Sequence, residues 1–235
     1  GGFLESVDAM TQGARDRRQV TVASIPIFIS HGLVPAVGAF RAAFPDWQVS
    51  IITAGNPSMA NLLREGVADL WLTIGGTAGN RLRESSDIAM ETFYESDRVL
   101  IVPNNHTLAT RGLTSLTDLA QIPLIARGPD TPTRQLLEDE FERAGVDYRI
   151  VLEVDDMDAV KRYVAYGLGV SVVLESMIEP EDLRTLSVIS LARWLPPLQM
   201  SMATLRSRPL SEPACRFIEI LKDTVRRKAA VGATR

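Results

Sequence analysis

Apolar residues recur along this chain in two alternating patterns. Short apolar runs, such as the one around Val20 and Val22, predict buried strands, and stretches with apolar residues three and four positions apart predict amphipathic helices. The predicted order in the first part of the chain is strand 20–24, helix 33–44, strand 47–53, a helix ending before Gly66, and strand 68–74. Strands and helices that alternate at this spacing predict right-handed crossover connections and a parallel sheet.

The second part of the chain repeats this alternation. The predicted strands are residues 90–94, 98–102, 123–126, 149–154, 170–174 and 199–205. Thr131 followed by Pro132 predicts the start of a helix, and Ser115 with Asp118 has the spacing of a capping box. The predicted C-terminal helix, residues 211–227, has a buried side formed by Phe217, Ile218, Leu221 and Val225. Two sets of strand–helix units predict an α/β fold with two doubly wound subdomains.

The glycine clusters do not match nucleotide-binding motifs. Gly167-Leu168-Gly169 follows a predicted helix and precedes a strand, which is the reverse of the dinucleotide-binding order. It predicts instead a left-handed helix end followed by close packing of the helix on the sheet. Residues 75–79 contain three glycines but lack the spacing and the lysine of a phosphate-binding loop, and we expect a flexible loop there.

Turns that follow the strands are the predicted ligand site, because open parallel sheets bind ligands at the carboxyl ends of their strands. These turns are residues 24–30, 55–58, 74–77, 127–133 and 155–158. Small hydroxyl and amide residues stand in them near predicted helix starts: Ser24, Ser30, Asn56, Ser58, Thr131 and Thr133. Any one of them is more typical of a helix cap, but together they favour a small polar ligand with a carboxylate or another oxyanion.

Charged residues near two of these turns leave alternatives open. Arg127 either adds a charge-assisted hydrogen bond to the ligand or faces solvent. Of Asp155 and Asp156, one can cap its helix, and the other would repel an anion or bind an amine or a hydroxyl group.

Composition narrows the function classes. The chain has 235 residues, 46% of them hydrophobic, with 25 basic and 29 acidic residues and a net charge of −4. This balance argues against a free-standing nucleic-acid binder, and no apolar run approaches the ~20 residues that span a membrane. One cysteine, Cys215, and two histidines are too few for a disulfide or a standard zinc site, and hydrolase motifs are absent. We therefore expect no metal, no cofactor and no enzyme activity, and we expect Cys215 to be half-buried.

Several segments in order resemble the effector-binding region of LysR-type transcriptional regulators. The resemblance runs from Val20 to Leu221. The segments that carry it are residues 33–45, 66–70, 102–109, 115–119 with 123–125, 141–145 and 164–170. Residues 55–58 and 155–169 resemble most the branch that controls sulfur and cysteine metabolism.

This resemblance implies two Rossmann-like subdomains joined by two crossover strands, similar to type 2 periplasmic binding proteins. Residues 19–95 with 204–235 would form subdomain I, residues 96–203 would form subdomain II, and residues 1–18 would be a tail left from a linker helix. A small effector would bind in the cleft between the subdomains. The residues that the family's contacts imply here are Ser24, Ile25, Pro26, Ser30, Asn56, Pro57, Ser58, Arg127, Thr131 and Asp155.

The implied function is a cytoplasmic ligand sensor. A metabolite would control transcription by rearranging a homodimer, or a tetramer in the full-length protein, and DNA would bind only through the winged helix-turn-helix missing from this chain. Two departures argue against a plain sulfate ligand: the first turn, residues 24–29, is unusually apolar, and Asp155 replaces a hydroxyl residue. The alternative is a periplasmic-type solute-binding protein of a transporter, which shares the fold and would be preceded by a secretory signal.

Overall fold

The computed structural model of the protein describes residues 18–53, 56–74 and 85–232. Within these ranges only the backbone is described for residues 27, 30, 31, 56–59 and 228–232. Of the predicted tail at residues 1–18, all but Arg18 lies outside the described residues, as does the glycine cluster at residues 75–79.

The chain divides into two compact units. Unit 1 consists of residues 1–95 and 199–235, and unit 2 consists of residues 96–198. The chain therefore crosses from one unit to the other twice. The second crossing lies at Gln199 rather than at the expected Thr204, because residues 200–203 already pair with a strand of the unit 1 sheet.

Unit 1 is built on a five-stranded sheet. Its strands are β1 (Gln19–Ser24), β2 (Gln48–Thr53), β3 (Leu70–Ile74), β4 (Ile88–Ser96) and β10 (Leu198–Leu205), in the order β2-β1-β3-β10-β4. Strand β1 pairs in parallel with both β2 and β3, and β10 runs antiparallel to β3. The predicted parallel core is thus confirmed, and the returning strand β10 extends it.

The helices of unit 1 follow its parallel strands. After β1 the chain forms a helical turn Pro26–Phe28, a π-helical segment Ile29–Leu33 and the α-helix Val34–Ala43. After β2 comes the helix Asn56–Arg64, and the C-terminal helix Glu212–Gly232 closes the unit. Its predicted apolar side is buried at Phe217, Ile218, Leu221 and Val225, as helical periodicity requires.

An aromatic contact joins two of these helices. The ring centroids of Phe40 and Phe217 lie 5.4 Å apart at a steep angle, and both side chains are fully buried. Such edge-on pairs add to the stabilisation from burial alone. Cys215, expected to be half-buried, is exposed, because it lies outside the apolar stripe that faces the sheet.

Unit 2 combines antiparallel and parallel pairing. Strand β5 (Arg98–Pro103) lies between β8 (Ser171–Leu174) and β9 (Leu186–Ser190) and is antiparallel to both. Strands β6 (Leu124–Ala126) and β7 (Ile150–Glu153) form a parallel pair. A parallel bridge from Leu124 to Val170 continues from β6 towards β8.

Helices of unit 2 begin and end where local chemistry predicts. The helices are Thr107–Arg111, Pro132–Ala144 and Met157–Ala165, with short 3₁₀ turns at Leu116–Gln121, Glu175–Met177 and Asp182–Arg184. The predicted capping box is present. The Ser115 side chain accepts the main-chain N–H of Asp118, and the Asp118 carboxylate accepts the main-chain N–H of Ser115. Gly167 has φ +87°, the predicted left-handed helix end. A core around Phe141 and Leu100 fills the space between these elements.

Candidate functional site

In unit 1, the parallel strands end at one edge of the sheet. Ser24 at the end of β1 lies beside Thr53 of β2 and Leu72 of β3. The helical turn at Pro26 and the helix beginning at Asn56 therefore start near the same edge. Of the predicted contacts Ser30, Asn56, Pro57 and Ser58 only the backbone is described, and it places all four in helical segments.

The first turn begins at Ser24, whose hydroxyl is not available to a ligand. Ser24 is completely buried, and its Oγ donates to the carbonyl of Leu72 at 3.2 Å, which holds β1 to β3. Ile25 precedes the helical turn in an extended conformation without a side-chain cap, and Pro26 occupies its first position. The Ser24 hydroxyl is thus engaged inside the sheet.

A π-helical segment follows this turn. It spans Ile29–Leu33 and includes Ser30, between the helical turn Pro26–Phe28 and the α-helix Val34–Ala43. π-Helical insertions are rare and occur often at functional sites. The position of this π-helical segment, just after the helical turn that follows β1, favours this edge of unit 1 as part of a binding site.

In unit 2, strands β6 and β7 also end together. Ala126 pairs with Glu153, and the N–H of Val154 donates to the carbonyl of Ala126 at 3.0 Å. The turns after these strands, residues 127–131 and 154–156, therefore lie side by side. Each leads into a helix, at Pro132 and at Met157.

Arg127 and Asp155 join these two turns to each other. Arg127 Nε donates to the main-chain carbonyl of Asp155 at 3.1 Å, and the Asp155 carboxylate accepts the N–H of Gly128 at 3.1 Å. Asp155 therefore does not cap its helix, and one of its carboxylate oxygens is engaged by Gly128. Burial lowers the pKa of Arg127, and the carboxylates of Asp155 and Asp156 act in the opposite direction. The charge of Arg127 is thus partly balanced within the protein.

Helix starts in unit 2 are capped differently. Asp156 is the cap of its helix, because its carboxylate accepts the N–H of Ala159 at 2.7 Å. Thr131 precedes Pro132 in the predicted position, but its hydroxyl donates to the carbonyl of Gly128 at 2.9 Å. The first-turn N–H groups of the helix Pro132–Ala144 therefore receive no side-chain cap, in contrast to the expectation for Thr131.

Arg98 is a residue that sequence reasoning missed. It opens β5, and only 3% of its surface is exposed. Its Nη1 donates to the carbonyl of Pro196, and its Nε donates to the hydroxyl of Thr133 at 3.4 Å. The available signal was an arginine directly before the apolar run Val99–Val102. Burial lowers the pKa of this guanidinium.

The described part of the chain also bears on other functional classes. There, no group of three or more His, Cys, Asp or Glu side chains is placed to hold a metal ion. Among the helices so described, none combines the length and apolarity needed to cross a membrane. His106 caps the helix Thr107–Arg111 by accepting the N–H of Leu108 at 3.2 Å, which is a structural role.

Comparison with known proteins gives a consistent result. Residues 13–226 match the family described as the LysR substrate binding domain. The HTH-type transcriptional regulator Cbl of Escherichia coli K12 is 31% identical over 156 residues, which are 66% of this chain and 48% of that protein. The regulator CysB of Burkholderia cenocepacia is 26% identical over 231 residues, covering 96% of this chain and 72% of that protein.

A solved structure shows the same fold. The cofactor-binding domain of the Cbl transcriptional regulator has a TM-score of 0.74 and 23% sequence identity, covering 92% of this chain and 97% of that domain. This chain spans about half the length of the Cbl protein of Escherichia coli.

Proposed function

The chain belongs to the family of LysR substrate-binding domains, and we propose that it senses a small polar, acidic metabolite and thereby controls transcription as part of a longer regulator. The family consists of transcriptional regulators and not of enzymes. Its two-unit, type 2 periplasmic-binding-protein-like fold is the one expected from the sequence. Cbl and CysB agree with the predicted branch of the family. A cytoplasmic location and DNA binding through a separate domain are parts of the proposal.

The observation that carries this proposal is the arrangement of the strand ends. In both units, parallel strands lead directly into helices at one edge of a sheet, at Pro26 and Asn56 in unit 1 and at Pro132 and Met157 in unit 2. Helix starts present N–H groups and a partial positive charge, which favours an acidic ligand.

Effector binding would act on transcription through linkage. A ligand can shift the balance between two states of the regulator only by its difference in affinity for them, typically about 1–3 kcal/mol. We propose that the two states differ in how copies of the chain associate.

Ser58 provides the direct test of the site in unit 1. Replacing it with tryptophan, Ser58→Trp, is expected to abolish the stabilisation by effector while leaving the unliganded protein folded. A metabolite library that contains acidic, neutral and cationic compounds is screened by thermal unfolding. A true effector at 100 times its Kd adds about 2.7 kcal/mol, which raises the Tm by roughly 5–10 °C.

Asn61→Trp serves as the matched control, because Asn61 lies exposed on the same helix Asn56–Arg64, one turn further on. It is expected to keep the full thermal shift. If Ser58→Trp still responds to the effector, the second turn is not part of the site. If no compound of the library shifts the Tm of the natural sequence, the sensor function itself is rejected.

Self-association is proposed from two open sheet edges. Strand β2 is an edge strand of the unit 1 sheet, and β7 is an edge strand of the two-stranded sheet β6-β7 in unit 2. Each of these strands carries an exposed large hydrophobic residue, Ile51 on β2 and Val151 on β7. Open strands with apolar neighbours are templates for pairing, and a second copy of the chain would cover them.

The double variant Ile51→Lys/Val151→Lys is expected to dissociate this dimer. Each lysine places a charge on an open edge, so the Kd for self-association should rise at least a hundredfold. Light scattering after size exclusion measures the mass of each species. The control Leu183→Lys alters an equally exposed apolar residue away from both edges and should remain dimeric. A double variant that keeps the mass of a dimer would place the interface elsewhere.

A further inference from the structure

Arg98 is a buried cation with unused hydrogen-bond donors. A guanidinium carries five N–H donors. In this structure Nε donates to Thr133 and Nη1 donates to the carbonyl of Pro196, and both acceptors are uncharged. Nη2 donates to no described residue.

Two other shielded cations of unit 2, Arg134 and Lys161, have carboxylate partners. Arg134, with a side chain 13% exposed, contacts Glu138 at 2.6 Å and Glu153 at 3.6 Å. Lys161 contacts Asp182 at 2.9 Å. Charges removed from water are normally paired, because an isolated buried ion is costly. No carboxylate in the described ranges contacts Arg98, and burial lowers its pKa without an opposing acidic group.

The unpaired charge lies at the start of a helix. Thr133, which accepts from Arg98 at 3.4 Å, is the second residue of the thirteen-residue helix Pro132–Ala144. The Thr131 hydroxyl donates to Gly128 and leaves the first-turn N–H groups of this helix without a side-chain cap. The guanidinium and the positive end of the helix dipole therefore favour an anion at the same place.

We propose that Arg98 binds the acid group of the effector, with Thr133 and the start of the helix Pro132–Ala144 supplying further donors. This inference rests on the proposed sensor function and names the residue in unit 2 that selects an acidic ligand. Arg127, the arginine predicted from the sequence, joins the two neighbouring turns through its Nε, and its contact with a ligand stays a prediction.

The ligand chemistry is that of an oxyanion. Guanidinium groups bind carboxylate, sulfate and phosphate oxygens through parallel N–H bonds, and all three groups fit the donors present. Inorganic sulfate, inorganic phosphate and acetate are therefore the probes, each titrated at constant ionic strength with chloride as the balancing anion. The anion with the lowest Kd indicates the acid group of the effector.

The variant Arg98→Met tests the role of the charge. The natural sequence is expected to show a saturable Tm rise of about 3–5 °C with at least one probe, and Arg98→Met is expected to raise the apparent Kd at least tenfold. The control is Arg149→Met, which removes an exposed arginine of the same unit. It should keep the Tm rise. Circular dichroism confirms that each variant is folded.

A second experiment uses only the natural sequence, so its result does not depend on whether a variant folds. Crystals of the natural sequence are soaked in selenate, which has the shape and charge of sulfate and scatters anomalously. An anomalous peak about 4 Å from Arg98 Nη2, which places a selenate oxygen within hydrogen-bond distance, supports the proposal.

Three results would overturn the role of Arg98: no saturable response to any of the three anions, an unchanged Kd in folded Arg98→Met, or selenate bound only elsewhere. None of these results touches the sensor function, because the library screen with Ser58→Trp tests it with neutral and cationic compounds as well.

Discussion

Replacing Gly169 by alanine is expected to destabilise unit 2 by about 2–3 kcal/mol, the cost of forcing an atom into a well-packed site. A Cβ at this position would lie 2.5 Å from the carbonyl oxygen of Pro123, far inside van der Waals contact. That carbonyl cannot move freely, because it accepts the N–H of Val170 at 2.9 Å. Urea unfolding followed by fluorescence gives the change in stability. Hydrogen exchange should show the loss of protection in unit 2 and not in unit 1.

Gly38→Ala is the control for this substitution. Gly38 lies in the helix Val34–Ala43, and a Cβ there would meet nothing within 4 Å. Alanine in an open helical site should stabilise the protein by roughly 0.5–1 kcal/mol. Two glycine substitutions of opposite sign would show that contact with Pro123 decides the cost at Gly169. Equal effects at both sites would contradict this explanation.

Replacing Lys161 by methionine is expected to lower the free energy of unfolding by about 2–3 kcal/mol. This is somewhat less than the cost of breaking a fully buried ion pair. The Lys161 ammonium contacts Asp182 at 2.9 Å, Asp158 at 3.1 Å and the carbonyl of Met177 at 3.3 Å. It thereby joins the helix Met157–Ala165 to two 3₁₀ turns. The cost is reduced because Asp158 is well exposed and Asp182 still accepts the N–H of Glu179. Urea unfolding at pH 7 measures the difference.

A second substitution separates charge from packing. The double variant Lys161→Met/Asp182→Asn removes the carboxylate that the first change leaves without its cation, and it should recover about half of the lost stability. If the double variant is as unstable as the single variant Lys161→Met, the loss of stability comes from packing of the aliphatic part of the lysine side chain and not from the unpaired carboxylate.

The pH dependence has a definite sign. Burial acts to lower the pKa of Lys161, but hydrogen bonds to Asp182 and Asp158 outweigh it and the pKa is raised. A group whose pKa rises on folding stabilises the protein below its ordinary pKa, about 10.4 for lysine, and this contribution is lost as the pH rises through the folded value. The difference in the free energy of unfolding between the natural sequence and Lys161→Met should therefore be constant from pH 7 to 9, and it should shrink in more alkaline solution.

Local chemistry made much of the fold predictable. Helical periodicity identified the buried side of the C-terminal helix at Phe217 and Leu221, and burial of an apolar stripe does not depend on what covers it. The Ser115 capping box and the left-handed Gly167 were predictable for a related reason, since each depends on residues within four positions along the chain. The alternation of strands and helices predicted the parallel sheet of unit 1 in the same way.

Contacts between distant segments were not predictable. Strand β9 (Leu186–Ser190) was not among the predicted strands, and it pairs with β5, more than 80 residues earlier in the chain. Asp155 was expected to face a ligand or cap a helix, but its carboxylate binds Gly128, 27 residues earlier in the chain. The Thr131 hydroxyl likewise binds Gly128 instead of capping its helix.

The sequence by itself determined the family, the two-unit α/β architecture and the turns that follow the strands, because these depend on patterns and neighbours along the chain. Only the tertiary structure decided which charges are buried and which groups they contact. Arg127 donates to the main-chain carbonyl of Asp155 near two carboxylates, whereas Arg98 is buried and contacts no carboxylate in the described ranges. The physical reason is that burial and pairing of a charge depend on residues far away in sequence, and no local pattern records them.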